Sequence, residues 1–215
     1  LGLVAAAVVS ISLLSGCADD GWDRARPAPQ AVGTPAAGFR PSDRPAPEST
    51  IDPVEGSWKD VSPGPGYRVV LLRSGTTSET RTIAAAVRRW AEQERVDLRV
   101  VDADRDPDPI DGIVRAMAMK PDLVVSAGNA LIDPLATVTA NHLDQHFLVL
   151  GAEVAEPTAN VTAVDWTGAS FRGEGLGTPS SYDPATFTPA RSARAVRAGI
   201  AAVLTGLTGI VVWID

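Results

Sequence analysis

Hydrophobic positions fall into three regimes along the chain. Residues 1–14 are almost continuously apolar, interrupted only by Ser10 and Ser12. Residues 18–66 recur with neither a 3.6-residue nor a two-residue period and hold nine of the 17 prolines. From Tyr67 onward, short β-branched runs alternate with amphipathic stretches. Residues 68–72, 98–101, 123–125, 147–150, 161–164 and 210–214 predict strands. Residues 78–94 predict a helix, because Ile83, Val87, Trp90 and Ala91 recur on one face while Arg88, Arg89 and Glu92 lie off it. A second helix starts at Asp108-Pro109, with Asp108 as cap and Ile113, Val114 and Met117 inward. A third runs from about Asp133-Pro134 to Asn141, burying Leu135 and Val138. Thr188-Pro189 opens a long Ala-rich helix ending near Gly206.

Strands apolar on both faces and separated by helices describe an α/β fold, a doubly wound and mostly parallel sheet. Right-handed crossovers place the loops after the strands along one edge, where ligands of such sheets sit. Those loops are residues 73–78, 102–108, 126–133 and 151–157. Residues 167–188 are rich in Gly, Ser, Thr and Pro and predict a lid or a disordered insertion.

The division is therefore 1–16, 17–66 and 67–215. An apolar run of 14 residues is short of the roughly 20 a bilayer-spanning helix needs and fits the core of a secretory signal. It runs into Leu14-Ser15-Gly16-Cys17, which holds the single cysteine and resembles the lipobox of bacterial lipoproteins. That resemblance implies removal of the preceding segment, lipidation of Cys17 and a place on the outer face of a membrane. Residues 17–66, with Arg26-Pro27-Ala28-Pro29 and Arg44-Pro45-Ala46-Pro47, predict a disordered, extended spacer, except at Trp22 and Trp58. Its limit at about 3.1 Å per residue is on the order of 150 Å.

Charge narrows the function. Lys and Arg number 19 against 26 Asp and Glu, a net charge of -7, so nucleic acid is excluded as a partner. One cysteine excludes an intrachain disulfide. There is no Gly-x-Ser-x-Gly elbow, no His-Glu-x-x-His and no dinucleotide fingerprint, so no enzyme and no cofactor is expected.

A family resemblance enters at Lys120-Pro121-Asp122-Leu123-Val124-Val125-Ser126-Ala127-Gly128, then Asp133, His142-Leu143-Asp144-Gln145-His146-Phe147 and Asn160-Val161-Thr162. Their order and spacing resemble the first lobe of type I periplasmic binding proteins, in the basic membrane protein (BMP) branch of lipoprotein receptors. Residues 195–206 with Thr208-Gly209-Ile210-Val211 look like that family's crossing helix and the first strand of its second lobe. The resemblance implies a substrate receptor of an ABC importer, with a permease partner and a small ligand; studied members bind nucleosides. Asp133 then matches an acidic ligand contact, or caps its helix, or both. Gly128 lets backbone approach a ligand, or serves a turn. Asn129 donates and accepts, or occupies a left-handed turn. The family's acidic and aromatic segment after the first strand is replaced by Ser74-Gly75-Thr76-Thr77-Ser78. With Ser74, Thr76 and Thr77 this suits an oxyanion or polar ligand, or simply a helix cap. The chain holds one lobe: a shortened receptor, half of a two-chain assembly, or a domain that has lost transport binding.

Other patterns stay open. Residues 74–80 also resemble a flavodoxin phosphate loop, without its second Gly. His142 and His146 suit a connector better than a metal pair. Asp102, Asp104, Asp106, Asp108 and Asp111 make an acidic rim or a weak divalent site. Arg191, Arg194 and Arg197 make a solvated or docking face. Trp166 is core, or a stacking platform for a ligand. The class competing with a receptor is a non-transport lipoprotein whose lobe is a protein-interaction module.

Overall fold

The computed structural model describes residues 21–22, 24, 26–27, 29–169 and 182–215. Cys17 and the signal segment lie outside the described residues, as does most of the expected lid. Among the described residues there are nine strands: β1 Ala31–Val32, β2 Thr50–Ile51, β3 Ser62–Pro63, β4 Arg68–Arg73, β5 Asp97–Asp102, β6 Leu123–Ala127, β7 Phe147–Leu150, β8 Val161–Asp165 and β9 Val211–Trp213. The α-helices are α1 Ser78–Glu94, α2 Pro109–Ala118, α3 Ile132–Thr139 and α4 Pro189–Leu204. Seven strands form one sheet in the order β2-β9-β8-β7-β6-β4-β5, and every neighbouring pair is parallel.

Alternation along each strand divides the core in two. Val69, Leu71, Val125, Leu148 and Val164 point into one layer with α1 and α4. Val70, Leu72, Val124, Val149 and Ala163 point into the other with α2 and α3. Central strands thus bury both faces, which is why they read as unbroken apolar runs rather than alternating ones. Caps fix where the helices begin. The Thr77 hydroxyl accepts from the Thr80 amide, Asp108 accepts from the Ile110 amide, and Thr188 accepts from the Arg191 amide. Gly199 lets α4 lie close on the sheet, because a Cβ there would stand 2.6 Å from Leu148 Cδ1 and 2.7 Å from Val164 Cγ2.

From Pro29 on, the Pro-rich segment is joined by turns and lies against the domain rather than free of it. β1 pairs antiparallel with β3, and β2 adds a parallel strand beside β9. Phe39, Ile51, Trp58 and Val61 join the α1/α4 layer, with Phe39 edge-on to Trp58 at 6.4 Å. Trp22 joins the other layer. Each large apolar side chain so buried contributes roughly 1.5–3 kcal/mol, which offsets the backbone ordering of about one or two residues. Isolated aromatics do this without any period. Part of this strap, from Arg26 to Glu48, meets the amino ends of the strands and the end of α4. Arg26 is ion-paired with Asp122, the Arg40 guanidinium donates to the Thr205 carbonyl, and the Glu48 amide donates to the Gly209 carbonyl.

The expectation that Thr208-Gly209-Ile210-Val211 begins the first strand of a second lobe is overturned. β9 is held between β8 and β2 in the same sheet. Val211 buries in one layer and Val212 in the other, so the strand needs cover on both faces.

Candidate functional site

β4 lies between β5 and β6, so the chain reverses its direction of travel across the sheet there. Such a reversal opens a crevice outside the carboxyl ends of the two strands. The register places Arg73 beside Ala127, which makes Ser74 and Gly128 the first residues past the edge. Gly128 has φ 81°, and a Cβ on it would sit 3.1 Å from the Thr80 hydroxyl in the first turn of α1. The structure therefore brings Ser74, Thr76, Thr77, Gly128 and Asn129 to one rim, with Asp133 close behind on α3.

That rim is occupied by carboxylates. The turn at Ala103–Arg105 holds Asp104, which accepts from the Ser74 hydroxyl at 2.5 Å and the Gly75 amide at 2.7 Å. Thr77 acts as the helix cap, and its hydroxyl also donates to Thr80 Oγ1 at 3.2 Å. The Thr76 carbonyl accepts from the Arg81 guanidinium. Behind them Arg73 pairs with Asp102, and this hydrogen bond holds the Asp102 carboxyl below its usual range against the opposing effect of burial. The oxyanion reading of the loop is corrected: Asp104 already takes the amide and hydroxyl that an anion would use, and a second anion beside it is repelled. The cap reading of Thr77 stands.

Glu79 is the residue that the sequence pattern does not single out. It is 9% exposed in the first turn of α1. Its carboxylate accepts from the Ser78 hydroxyl at 3.0 Å and from the Tyr182 hydroxyl at 3.3 Å. Its own backbone amide, first, then the Ser78, Thr77 and Tyr182 hydroxyls, hold it below the usual carboxylate range, while burial works the other way. Partial burial, and then the Glu79 charge, push the Tyr182 phenol up to about 12. Helical spacing carried a signal, since Glu79 stands four residues before the buried Ile83 and so shares its face. Tyr182 follows an aperiodic stretch and had none.

Asp133 is exposed in the first turn of α3, but Leu131 holds the cap position and no side chain caps the helix, so the capping reading is overturned. Asn129 is half-buried, and its carbonyl accepts from the Ile132 amide. Trp166 is 0% exposed, donates to the Thr186 hydroxyl at 3.1 Å and meets Phe187 edge-on at 5.0 Å. It is core and offers no face for stacking. The ends of the 167–188 stretch are pinned together by the Asp183 amide on the Gly168 carbonyl at 2.8 Å.

The acidic run is divided among separate tasks. Asp102 pairs with Arg73, Asp104 holds the loop, Asp106 pairs with Arg115 and Asp108 caps α2. The basic face of α4 is braced as well. Arg191 donates to the Thr186 carbonyl, Arg194 to the Asp215 carbonyl, and Arg197 to Glu94 and Gln93. His142 and His146 are exposed in the connector ahead of β7, which Asn160 clamps by donating to the carbonyls of Thr139, His142 and Gln145. Among the described residues no three His, Cys, Asp or Glu side chains are grouped to hold a metal ion. No helix among them is long and apolar enough to cross a membrane.

No family model matches the chain, and no curated protein does. Solved structures resemble part of the chain. An ABC transporter solute-binding protein from Aeropyrum pernix K1 is 20% identical with a TM-score of 0.40, covering 47% of this chain and 29% of that one. One from Conexibacter woesei DSM 14684 is 22% identical with a TM-score of 0.39, covering 49% and 37%. A putative lipoprotein fragment from Peptoclostridium difficile 630 is 16% identical with a TM-score of 0.46, covering 65% and 98%. The chain thus spans about a third of the length of the two solute-binding proteins. At these identities and scores the likenesses carry nothing about ligand or partner.

Proposed function

We propose that this chain is the binding lobe of a lipid-anchored, extracytoplasmic solute-binding lipoprotein, the substrate-binding component of an ABC importer. Cys17 carries the lipid, a small polar molecule is the ligand, and a permease is the partner. The lobe binds rather than catalyses. What supports the reading is the ionised Glu79 carboxylate in the first turn of α1, one residue before the Thr80 that Gly128 approaches at the rim. A carboxylate held by hydroxyl donors is matched to a ligand that presents hydroxyls, and Asp133 and Asn129 extend the same acceptor-rich rim. The acidity of the rim selects an uncharged or cationic ligand, nucleoside-like or a sugar, over a phosphorylated one. It also speaks against the flavodoxin-like alternative, since Asp104 stands where a flavin phosphate would be cradled.

Thermal shift on residues 17–215 tests this. Nucleosides or sugars raise Tm in a saturable way, their phosphorylated counterparts do not, and Glu79→Gln abolishes the shift. Silence across the panel overturns the receptor reading. One observation favours the second reading, a protein-interaction module: Ser74, Gly75 and Glu79 already have partners within the chain. A chain that ignores every small molecule but retains an envelope protein through this rim, and loses it on Asn129→Arg, would be that module.

A further inference from the structure

Trp22 is 3% exposed and is fixed at the amino-end corner of β4 and β5. Its indole donates to Asp97 at 2.5 Å, and its ring lies 4.1 Å from the Arg99 guanidinium and 5.5 Å from that of Arg68. Arg68 in turn donates to the Gly21 and Trp22 carbonyls at 2.6 and 2.7 Å. The chain is therefore docked on the domain only five positions after Cys17. Whatever those positions do, five peptide units span at most about 18 Å.

From this we infer that the domain stands on the membrane by the amino end of its sheet and presents the carboxyl-edge rim outward. The inference rests on the lipid at Cys17 proposed above. It replaces a loose spacer with a leash shorter than the domain itself. The strands are parallel, so the residues just before them (Arg95, Lys120, His146 and Ala159, all exposed) share the membrane side. Residues 74–77 and 128–133 follow the strands and lie on the far side. The corner around Trp22 is basic although the chain is acidic overall. Among the described residues, Arg24, Arg26, Arg68, Arg95, Arg99 and Lys120 lie on that side, and the carboxylates Asp97 and Asp122 are bonded to Trp22 and Arg26; Asp19, Asp20 and Asp23 of the leash lie outside the described residues. Such a corner is complementary to anionic lipid headgroups. A ligand then reaches the rim from outside without passing between the domain and the bilayer.

The test couples residues 17–215 through Cys17, the single cysteine, to a maleimide lipid in vesicles of phosphatidylcholine and phosphatidylglycerol. Hydroxyl-radical footprinting then compares coupled with free protein. Protection at Lys120, His142 and His146, with Tyr182 and residues 128–133 unchanged, is the expected result. Protection of the rim, or equal protection at both ends, overturns the inference. A flexible Gly-Ser insertion between Ala18 and Trp22 leaves the fold intact and should abolish the protection; protection that survives it overturns the role of the leash. Because coupling supplies the anchor chemically, failure of the lipid reading is seen separately, as lack of lipid label on Cys17 in the producing bacterium.

Discussion

At Glu79 a backbone amide and the Ser78, Thr77 and Tyr182 hydroxyls meet one carboxylate, and Asp104 accepts from one hydroxyl and one amide of the neighbouring loop. Both groups accept from hydroxyl donors and repel anions, which is the basis of the ligand class proposed above. The folded Glu79 and Asp102 carboxyls are depressed, so the stability they contribute is present above their unfolded pKa values, near 4.5 and 3.8. It is lost as pH falls through the lower folded values. Acid melts should therefore show Tm falling below about pH 4, with a shallower fall in Glu79→Gln. The phenols have the opposite sign. Tyr182 is raised to about 12, and Tyr67 is raised further by burial and then by Asp122. Their contribution is complete below the unfolded value of 10.0 and is lost as pH rises through the folded values. These are the only two tyrosines, so ultraviolet titration of folded protein should show almost no phenolate near pH 10. Urea-unfolded chain should show half, and Glu79→Gln should bring Tyr182 down. Gly128→Ala forces a Cβ into a left-handed backbone 3.1 Å from Thr80 and should cost about 1–2 kcal/mol in chemical denaturation.

Among the elements, the strap is the one whose role the sequence conceals. β4 to β9 and the four helices announce themselves by period, by β-branched runs and by caps such as Asp108 and Thr188. Residues 29–66 have no period because they are anchored at single points, Phe39, Ile51 and Trp58, joined by turns. Trp22 and Trp58 are the visible trace of this in the composition. A free spacer could be removed without effect; a packed strap cannot. Residues 67–215 alone should lose β2 from the sheet edge and bare the α4 layer, with Tm down by well over 10 °C or aggregation in its place. An unchanged melt would restore the spacer. Trp22→Ala in the full chain should cost about 3 kcal/mol, the usual loss for a buried Trp. In α4, Gly199→Ala gains helix propensity but crowds Leu148 and Val164, both fully buried, so overpacking of about 1–3 kcal/mol wins.

Over the whole molecule, one arrangement connects these facts. A parallel sheet sets its switch point at one end, and the strap covers the β9 edge and the α4 layer and meets the other end at Asp122 and Gly209. The rim was legible in sequence as far as its loops, since strand ends and Gly128 locate them. Its charge was not, because Asp104 and Glu79 reach the rim only through tertiary placement of the turn after β5 and the start of α1. Trp166 was ambiguous for a related reason: a tryptophan at a strand end looks the same whether it faces the crevice or, as here, packs under Phe187. The central claim is that the switch-point rim holds a hydroxyl-bearing, uncharged ligand. Amide chemical-shift mapping of isotopically labelled residues 17–215 against a nucleoside, with its monophosphate as control, tests it most directly. The account predicts saturable shifts at Gly75, Glu79, Gly128 and Asn129 with the nucleoside alone. Shifts confined to the amino-end strap, or none at any concentration, would contradict it.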